Sequence, residues 1–213
     1  MANILLDRPP DTVMIDGVDY PINTDYRAGI QLDILINDDL IDWEDVPAEA
    51  LKIYFPGAVF PPLSNEMVEA VVDFYRCGKP KPQPEQQRAI DEVDDAERTF
   101  SFEHDADYIF SAFLQQYGID LTKSHMHWWV FMALFSGLSE DCTLVKIMGY
   151  RAAEISEDMP KEERKQLERM KELYALPRPK EEIEAKDRLA EILMGDGDLA
   201  EYFAEMEGND DEG

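Results

Sequence analysis

Residues 125–138, HMHWWVFMALFSGL, contain no acidic side chain, lysine or arginine, and this apolar stretch is the strongest constraint on the fold. The stretch is shorter than the roughly 18 apolar residues of a membrane span, and runs of about 10–14 are typical of buried core helices. A helix that is apolar on all sides must be covered on all sides. We therefore predict a helix covered by other helices of this chain, by a partner on one face, or by both on different faces.

Two histidines precede this apolar run, and their spacing bears on metal binding. In a strand, His125 and His127 would share a face and could chelate one ion, whereas on a helix they point about 200° apart. His104 lies near the start of a different predicted helix. Because the run has helical length, we predict packing or capping histidines and no metal site. Asp196 and Asp198 have calcium-loop spacing without the other ligands that such a loop requires.

The sequence on either side of the opening stretch is also periodic. Asp105 and Asp107 lie near the start of an apolar stripe at i, i+3, i+4 spacing, where carboxylates meet free amides and the positive dipole end of a helix. Gly118 is a natural helix stop, with Ile119 available to fold back. The stripe consists of Ala106, Ile109, Phe110, Phe113 and Tyr117. Further helices are predicted within 139–151, 160–175 and 180–193.

The first third of the chain predicts a hairpin followed by helices. In TVMIDGVDYPI, residues 12–22, Asp16 and Gly17 form a turn sequence in which both positions accept a positive φ. Thr24 fits an N-cap, with Asp25 in the first helical turn. The helices predicted here are one with Tyr26, Ile30 and Ile34 on one face, one after Pro47, and one from Ser64 towards Cys77 that stops at Gly78.

The predicted fold class is mainly α, a helical domain with a small N-terminal β-hairpin and an acidic mobile C-terminal tail. The prolines of GKPKPQPEQQ favour an extended linker. We expect a hairpin-plus-helices region over 1–78, a Pro-rich and charged linker over 79–101, a helical core region over 102–195 and the tail over 196–213. The linker is the main boundary, although both halves could share one core.

The charge balance bears on the class of partner. The chain has 47 acidic and 20 basic residues, a formal net charge of −27. Such a surface repels phosphate backbones and anionic lipids, which argues against nucleic-acid and membrane binding. It suits solubility, a basic partner or mimicry of DNA.

The sequence contains no motif that indicates a catalytic site or a targeting segment. Cys77 and Cys142 are far apart and outside any CxxC, so we expect no disulfide and an intracellular, soluble protein. We read no signal peptide in the first residues. The chain has no phosphate-binding loop, nucleophile elbow or glycine-rich fingerprint. We expect neither an enzyme nor a cofactor.

Several short motifs occur together in a characteristic order. They are NTDYR at 23–27, DYI at 107–109, QQYGIDL at 115–121, HWW at 127–129, GLSED at 137–141 and GYR at 149–151. Taken together, these motifs resemble the bacteriophage gene product fifteen family, over roughly residues 13–152. The chain departs from that pattern at Ser139, where the family has proline, and at Cys142 before Thr143.

The resemblance implies a role in phage tail morphogenesis. Members are encoded just before the tape measure gene, where siphophages place their tail assembly chaperones. The implied function is to bind the tape measure protein and keep it soluble in the host cytoplasm until the tail tube polymerises. A second form of the chaperone, or self-association, is a further possible partner. The expected contact residues are Tyr108, Phe110, Phe113, Trp128, Trp129, Phe131 and Tyr150.

An acidic DNA mimic that binds a host or phage DNA-binding or restriction protein is the alternative. The net charge permits it. However, a mimic needs fixed carboxylates at phosphate spacing, and the acids here are interleaved with Lys and Arg, with the densest run in the tail.

Overall fold

The structure is a computed structural model that describes residues 4–38, 41–42, 44–57, 60–80, 98–156 and 158–177. Over these ranges the chain forms one hairpin and seven helices, which confirms the mainly α fold with a small N-terminal hairpin. The elements are β1 (Thr12–Ile15), β2 (Val18–Pro21), α1 (Tyr26–Ile36), α2 (Val46–Tyr54), α3 (Asn65–Tyr75), α4 (Ala106–Tyr117), α5 (Trp128–Ser136), α6 (Thr143–Ala152) and α7 (Lys161–Leu173). The helix predicted over 180–193 and the tail over 196–213 lie outside the described residues.

The hairpin forms where the turn sequence predicts it. β1 and β2 are antiparallel, with Thr12 opposite Pro21 and Ile15 opposite Val18. Asp16 and Gly17 have φ values of 51° and 77°, so both turn residues use the left-handed region that an Asp-Gly pair tolerates. Pro21 ends the second strand, where a missing N–H does least harm to the ladder.

Helix α5 lies at the centre of the core, and residues from both sides of segment 79–101 cover it. The Phe131 ring stacks on Tyr26 from α1 and on Phe113 from α4, each with ring centroids 4.9 Å apart. Phe102 packs against Phe135 at 5.7 Å. The two halves of the chain therefore share one hydrophobic core. Residues 81–97 of the expected linker lie outside the described part of the chain.

The backbone before α1 pairs with the backbone before α5. Trp128 N donates to Thr24 O at 2.7 Å, and Tyr26 N donates to Met126 O at 2.9 Å. The prediction that Thr24 caps α1 was wrong by one residue, because Asp25 is the N-cap and its carboxylate accepts from Arg27 N. Thr24 is instead held by the long-range pairing, which no local signal reveals.

The other helix ends mostly follow their local signals. Helix α3 begins directly after Ser64, where a helix was predicted to start, and the Ser64 side chain caps it by accepting from Met67 N. Gly118 ends α4 with φ 67°, and Ile119 N folds back to donate to Phe113 O. Asp105 and Asp107 lie at the start of α4 as predicted, with Asp105 at the N-cap position and Asp107 in the first turn, although the Asp105 side chain makes no capping bond. None of the helices described is long and apolar enough to cross a membrane.

Of the α1 residues predicted to share one face, Tyr26 is buried in the core, but Ile30 and Ile34 are less buried than the small residues of the helix. Ala28 and Gly29 are buried, whereas Ile30 and Ile34 are only partly buried. A Cβ added at Gly29 would overlap the Trp128 ring. The small residues thus let α1 approach α5 closely.

Gly29→Ala should therefore be destabilising despite alanine's higher helix propensity. We expect the unfolding free energy to fall by about 1–3 kcal/mol, the usual cost of overpacking. Urea denaturation followed by circular dichroism measures it. Gly149→Ala on α6 is the matched control, because its added Cβ would meet nothing within 4 Å beyond the adjoining backbone of its own helix, and the change should be neutral or stabilising. Equal stability of the two variants would contradict the close contact.

Candidate functional site

An apolar groove lies between the first three helices. Its volume is about 370 Å³, within the range of roughly 300–1,000 Å³ typical of binding sites. An engineered cavity of about 150 Å³ admits benzene, so this one has room for more than one apolar side chain. The groove is lined by Leu32 and Ile36 from α1, by Val46, Pro47 and Ala50 from α2, and by Met67, Val68, Val71, Val72, Tyr75 and Arg76 from α3 and its C-cap.

Helix α3 supplies both floor and wall of the groove because its apolar stripe is wide. Met67 and Val71 are buried at the floor. Val68 is partly buried on the wall, and Val72 is 37% exposed. Ala50 from α2 completes the floor with a side chain too short to fill the space. Val68 and Val72 are four residues apart, so they lie one helical turn from each other on one face.

A polar cluster around the buried Asp33 carboxylate joins two helices at one end of the groove. The Tyr75 hydroxyl donates to Asp33 Oδ1 at 2.6 Å, and the Arg98 guanidinium lies 3.6 Å from Asp33 Oδ2. Burial raises the pKa of the Asp33 carboxyl, opposed by the Tyr75 hydrogen bond. Burial, then the nearby Asp33 carboxylate, raises the pKa of Tyr75 well above its ordinary value. Tyr75 therefore stays protonated and donates, which joins α3 to α1 beside the groove.

The chemistry available in the groove is apolar contact. Its lining is aliphatic except for Tyr75 and Arg76, and Arg76 Nη2 donates to Pro80 O at 2.9 Å. Cys77 lies just beyond α3, and burial raises the pKa of its thiol to about 11, so it is not a thiolate at neutral pH. The groove is suited to holding apolar side chains from a partner.

The aromatic residues expected to contact a partner lie elsewhere. Phe113 and Phe131 are fully buried in the core, and Trp128 and Trp129 are also buried. A partner would reach these four only if the core opened. The remaining three, Tyr108, Phe110 and Tyr150, are partly buried on α4 and α6, and none of the seven lines the groove.

The adjacent tryptophans serve the core together. Trp128 Nε1 donates to Tyr75 O at 2.7 Å, and Trp129 Nε1 donates to Phe74 O at 2.8 Å. These acceptors belong to the last turn of α3, where carbonyls lack the usual partner four residues on within the helix, and Phe74 O also accepts from Cys77 N at 2.9 Å. Both tryptophans were among the residues expected to contact a partner. The structure buries both.

The two histidines of the opening stretch lie before α5 rather than on it. His125 Nδ1 is 3.2 Å from Asp25 Oδ2. His127 Nδ1 accepts from Trp129 N and caps α5, while its Nε2 lies 3.0 Å from Pro10 O. The helical-angle argument against chelation therefore does not apply, but the capping role is observed. In the ranges that the structure describes, no three His, Cys, Asp or Glu side chains are grouped to hold a metal ion.

The sequence pattern located the groove helix but not the groove. Met67, Val68, Val71, Val72 and Tyr75 stand at helical spacing within the helix predicted from Ser64 towards Cys77. A stripe this wide signals more apolar surface than a single packing partner covers. Which edge of the α3 stripe remains uncovered depends on where α1 and α2 pack. Local sequence does not determine that packing.

Comparison with known protein families gives a match over most of the chain. The family model described as Bacteriophage Gp15 protein matches residues 5–176. No curated protein and no solved structure shows significant similarity. The matched range contains the hairpin, all seven helices described above and every residue of the groove.

Proposed function

This chain belongs to the bacteriophage Gp15 family, and from that premise we propose that it is a phage tail morphogenesis protein. Specifically, it acts as a tail assembly chaperone in the host cytoplasm. It binds the tape measure protein and keeps it soluble before the tail tube polymerises. It is a binding protein and not an enzyme.

The observation that carries the proposal is the open apolar groove on a strongly acidic chain. Grooves between helices commonly accept the apolar face of an amphipathic helix. A helical partner that self-associates through its apolar face would be shielded there. The formal net charge of −27 would keep the complex dispersed.

The groove replaces the buried aromatic residues as the proposed contact surface. Trp128 and Phe131 belong to the core, so a folded chain cannot offer them to a partner. Val72, by contrast, is 37% exposed and lines the groove. Tyr108, Phe110 and Tyr150 are a secondary surface for self-association or a second chaperone form.

Co-expression with the tape measure protein of the same phage tests the proposal. We expect this chain to raise the soluble fraction of that protein and to co-purify with it. Contact through an apolar groove should survive moderate salt, because salt screens charges and leaves apolar burial intact. Val72→Gln should reduce both solubilisation and co-purification.

Leu114→Gln is the matched control, because Leu114 is 44% exposed on α4 and lies outside the groove. It should behave like the unchanged chain. If the tape measure protein stays insoluble, and the chain instead recovers nucleases or repressors that elute as salt rises, the chaperone proposal fails and the DNA mimic replaces it.

A further inference from the structure

Helix α7 is packed much more loosely than the helices of the core. None of its 13 residues, all of which the structure describes, is buried. Helix α5, by contrast, buries four of its nine residues. One face of α7 meets α6, and its partly buried side chains recur at helical spacing: Arg164, Leu167, Met170, Lys171 and, at the C-cap, Tyr174. Little apolar surface therefore holds α7 in place.

Two cations form reciprocal bonds between the ends of α6 and α7. Lys171 Nζ of α7 donates to Arg151 O and Ala153 O at the end of α6, at 2.7 and 3.1 Å. Arg151 Nε of α6 donates to Tyr174 O at 2.6 Å. Carbonyls at these positions lack partners within their own helix, so each helix caps the other. The Tyr150 and Tyr174 rings stack with centroids 6.1 Å apart.

Polar contacts of this kind can open at modest cost. Water replaces a broken hydrogen bond to a cation or a carbonyl, so the net contribution of each bond is much smaller than its strength in isolation. The adjoining Arg151–Asp105 ion pair gains hydration when it is uncovered, which offsets part of the lost attraction. Apolar core side chains have no such compensation, because water cannot replace their contacts favourably. The end of α6 can therefore open while the core stays closed.

The helical conformation of α7 does not depend on the core. Residues 161–173 consist only of Lys, Glu, Arg, Gln, Leu and Met, which are all strong helix formers. Glu162 and Glu163 lie in the first turn and Lys171 in the last, as the helix dipole favours. Helix α5 is rich in Trp and Phe, which are weaker helix formers, so it relies on burial. The formation of α7 is thus separable from the packing of the core.

We propose that α7 is a releasable cover for the end of α6. It leaves α6 while the core around α5 stays folded, and Tyr150 and the Arg151–Asp105 pair then become accessible. Regions held by few buried apolar contacts are the ones that open with the lowest free energy. Tyr150 belongs to the secondary surface proposed above, so release of α7 uncovers one residue of that surface. The inference goes beyond the proposed function, because it does not depend on what the groove binds.

Amide hydrogen exchange of the full chain, resolved by residue with NMR, tests the inference. We expect the interior amides of α7 to exchange at least about 100-fold faster than those of α5, after correction for intrinsic rates, because local opening requires less free energy than global unfolding. Low concentrations of urea should accelerate exchange in α5 but hardly in α7. The reason is that opening which exposes little surface has a small urea dependence.

Two matched pairs of variants show whether the contact with α6 holds α7. Lys171→Met removes the bonds to α6 and keeps an apolar stem, so exchange in α7 should rise about tenfold, whereas Lys165→Met on the exposed face should not change it. Tyr174→Ala removes the stack with Tyr150 and should raise exchange about fivefold. Leu173→Ala, at a side chain that is 64% exposed, should not raise it. Unchanged exchange in α5 confirms that each variant keeps a folded core.

Three results would overturn the inference. Exchange in α7 with the rate and urea dependence of α5 would mean that α7 opens only when the whole domain unfolds. An unchanged rate in the Lys171→Met variant would mean that the reciprocal bonds do not hold α7. Equal acceleration by Lys171→Met and Lys165→Met would mean that the substitutions weaken the helix itself and not its contact with α6. None of these results bears on the proposed function, which the co-expression experiment tests separately.

Discussion

Trp128→Ala is expected to lower the free energy of unfolding by about 3–5 kcal/mol, the usual cost of truncating a buried tryptophan. The Trp128 ring is 1% exposed and stacks on Tyr75 with centroids 5.3 Å apart and on Phe131 at 5.8 Å. Truncation also removes the donor to Tyr75 O. Because the free energy of unfolding of a domain is about 5–15 kcal/mol in total, the variant should be close to unfolding at 25 °C.

Urea denaturation monitored by far-UV circular dichroism measures the effect without relying on tryptophan emission. Trp129→Ala should have a comparable cost, since Trp129 is buried and donates to Phe74 O. Leu114→Ala, at an exposed site on α4, should change stability by no more than about 0.5 kcal/mol. If the Trp128→Ala chain is as stable as the parent but no longer binds its partner, Trp128 belongs to a binding surface and not to the core.

Arg151→Met is expected to cost about 3–5 kcal/mol, because it leaves the Asp105 carboxylate buried without its counter-charge. Asp105 is 1% exposed and Arg151 is 7% exposed. The Arg151 guanidinium donates to both Asp105 oxygens, at 2.6 and 2.9 Å, and also to Thr99 O and Tyr174 O. One side chain thus connects α6 with the start of α4, the segment before it and the end of α7.

A double-mutant cycle separates the ion pair from the rest of this network. Asp105→Leu combined with Arg151→Met removes both charges, so it should cost clearly less than the sum of the single variants. It should not restore full stability, because Thr99 O and Tyr174 O still lose their donor. Strict additivity of the two single variants would show that the buried pair is not coupled.

The motifs that carry the family resemblance mainly make contacts within the fold and do not form an exposed binding surface. In NTDYR, the Tyr26 hydroxyl and Arg27 Nη2 both donate to Leu121 O, at 2.6 and 2.7 Å. In QQYGIDL, Gln116 Nε2 donates to Gly137 O and the Tyr117 hydroxyl donates to Leu134 O. The motifs therefore join distant segments around α5, so motif residues alone do not locate the partner surface.

The sequence pattern did not predict the groove, because it shows which side chains are apolar but not which of them stay exposed. The sequence assigned the functional surface to the aromatic residues of 105–150, because large apolar side chains signal either core or interface. The structure places Phe113 and Phe131 in the core and leaves Val68 and Val72 beside an open groove. Apolar periodicity identifies a face but does not say what that face meets.

Local signals in the sequence were sufficient for the features that depend on neighbouring residues. Asp16-Gly17 makes a tight turn because both residues accept a positive φ. Ser64 caps the start of α3 and Gly118 ends α4, each through bonds to its own helical turn. Helical periodicity likewise predicted α3 to α7, because the period comes from backbone geometry. Net charge follows from composition alone.

Contacts between residues distant in sequence decided the features that local signals did not predict. Asp105 meets Arg151 across 46 positions instead of capping its own helix, and Trp128 N pairs with Thr24 O, so the cap of α1 moves to Asp25. The groove exists because α1, α2 and α3 leave space beside Val72. Such outcomes depend on which surfaces approach one another in three dimensions, and a pattern along the chain specifies each face without specifying its partner.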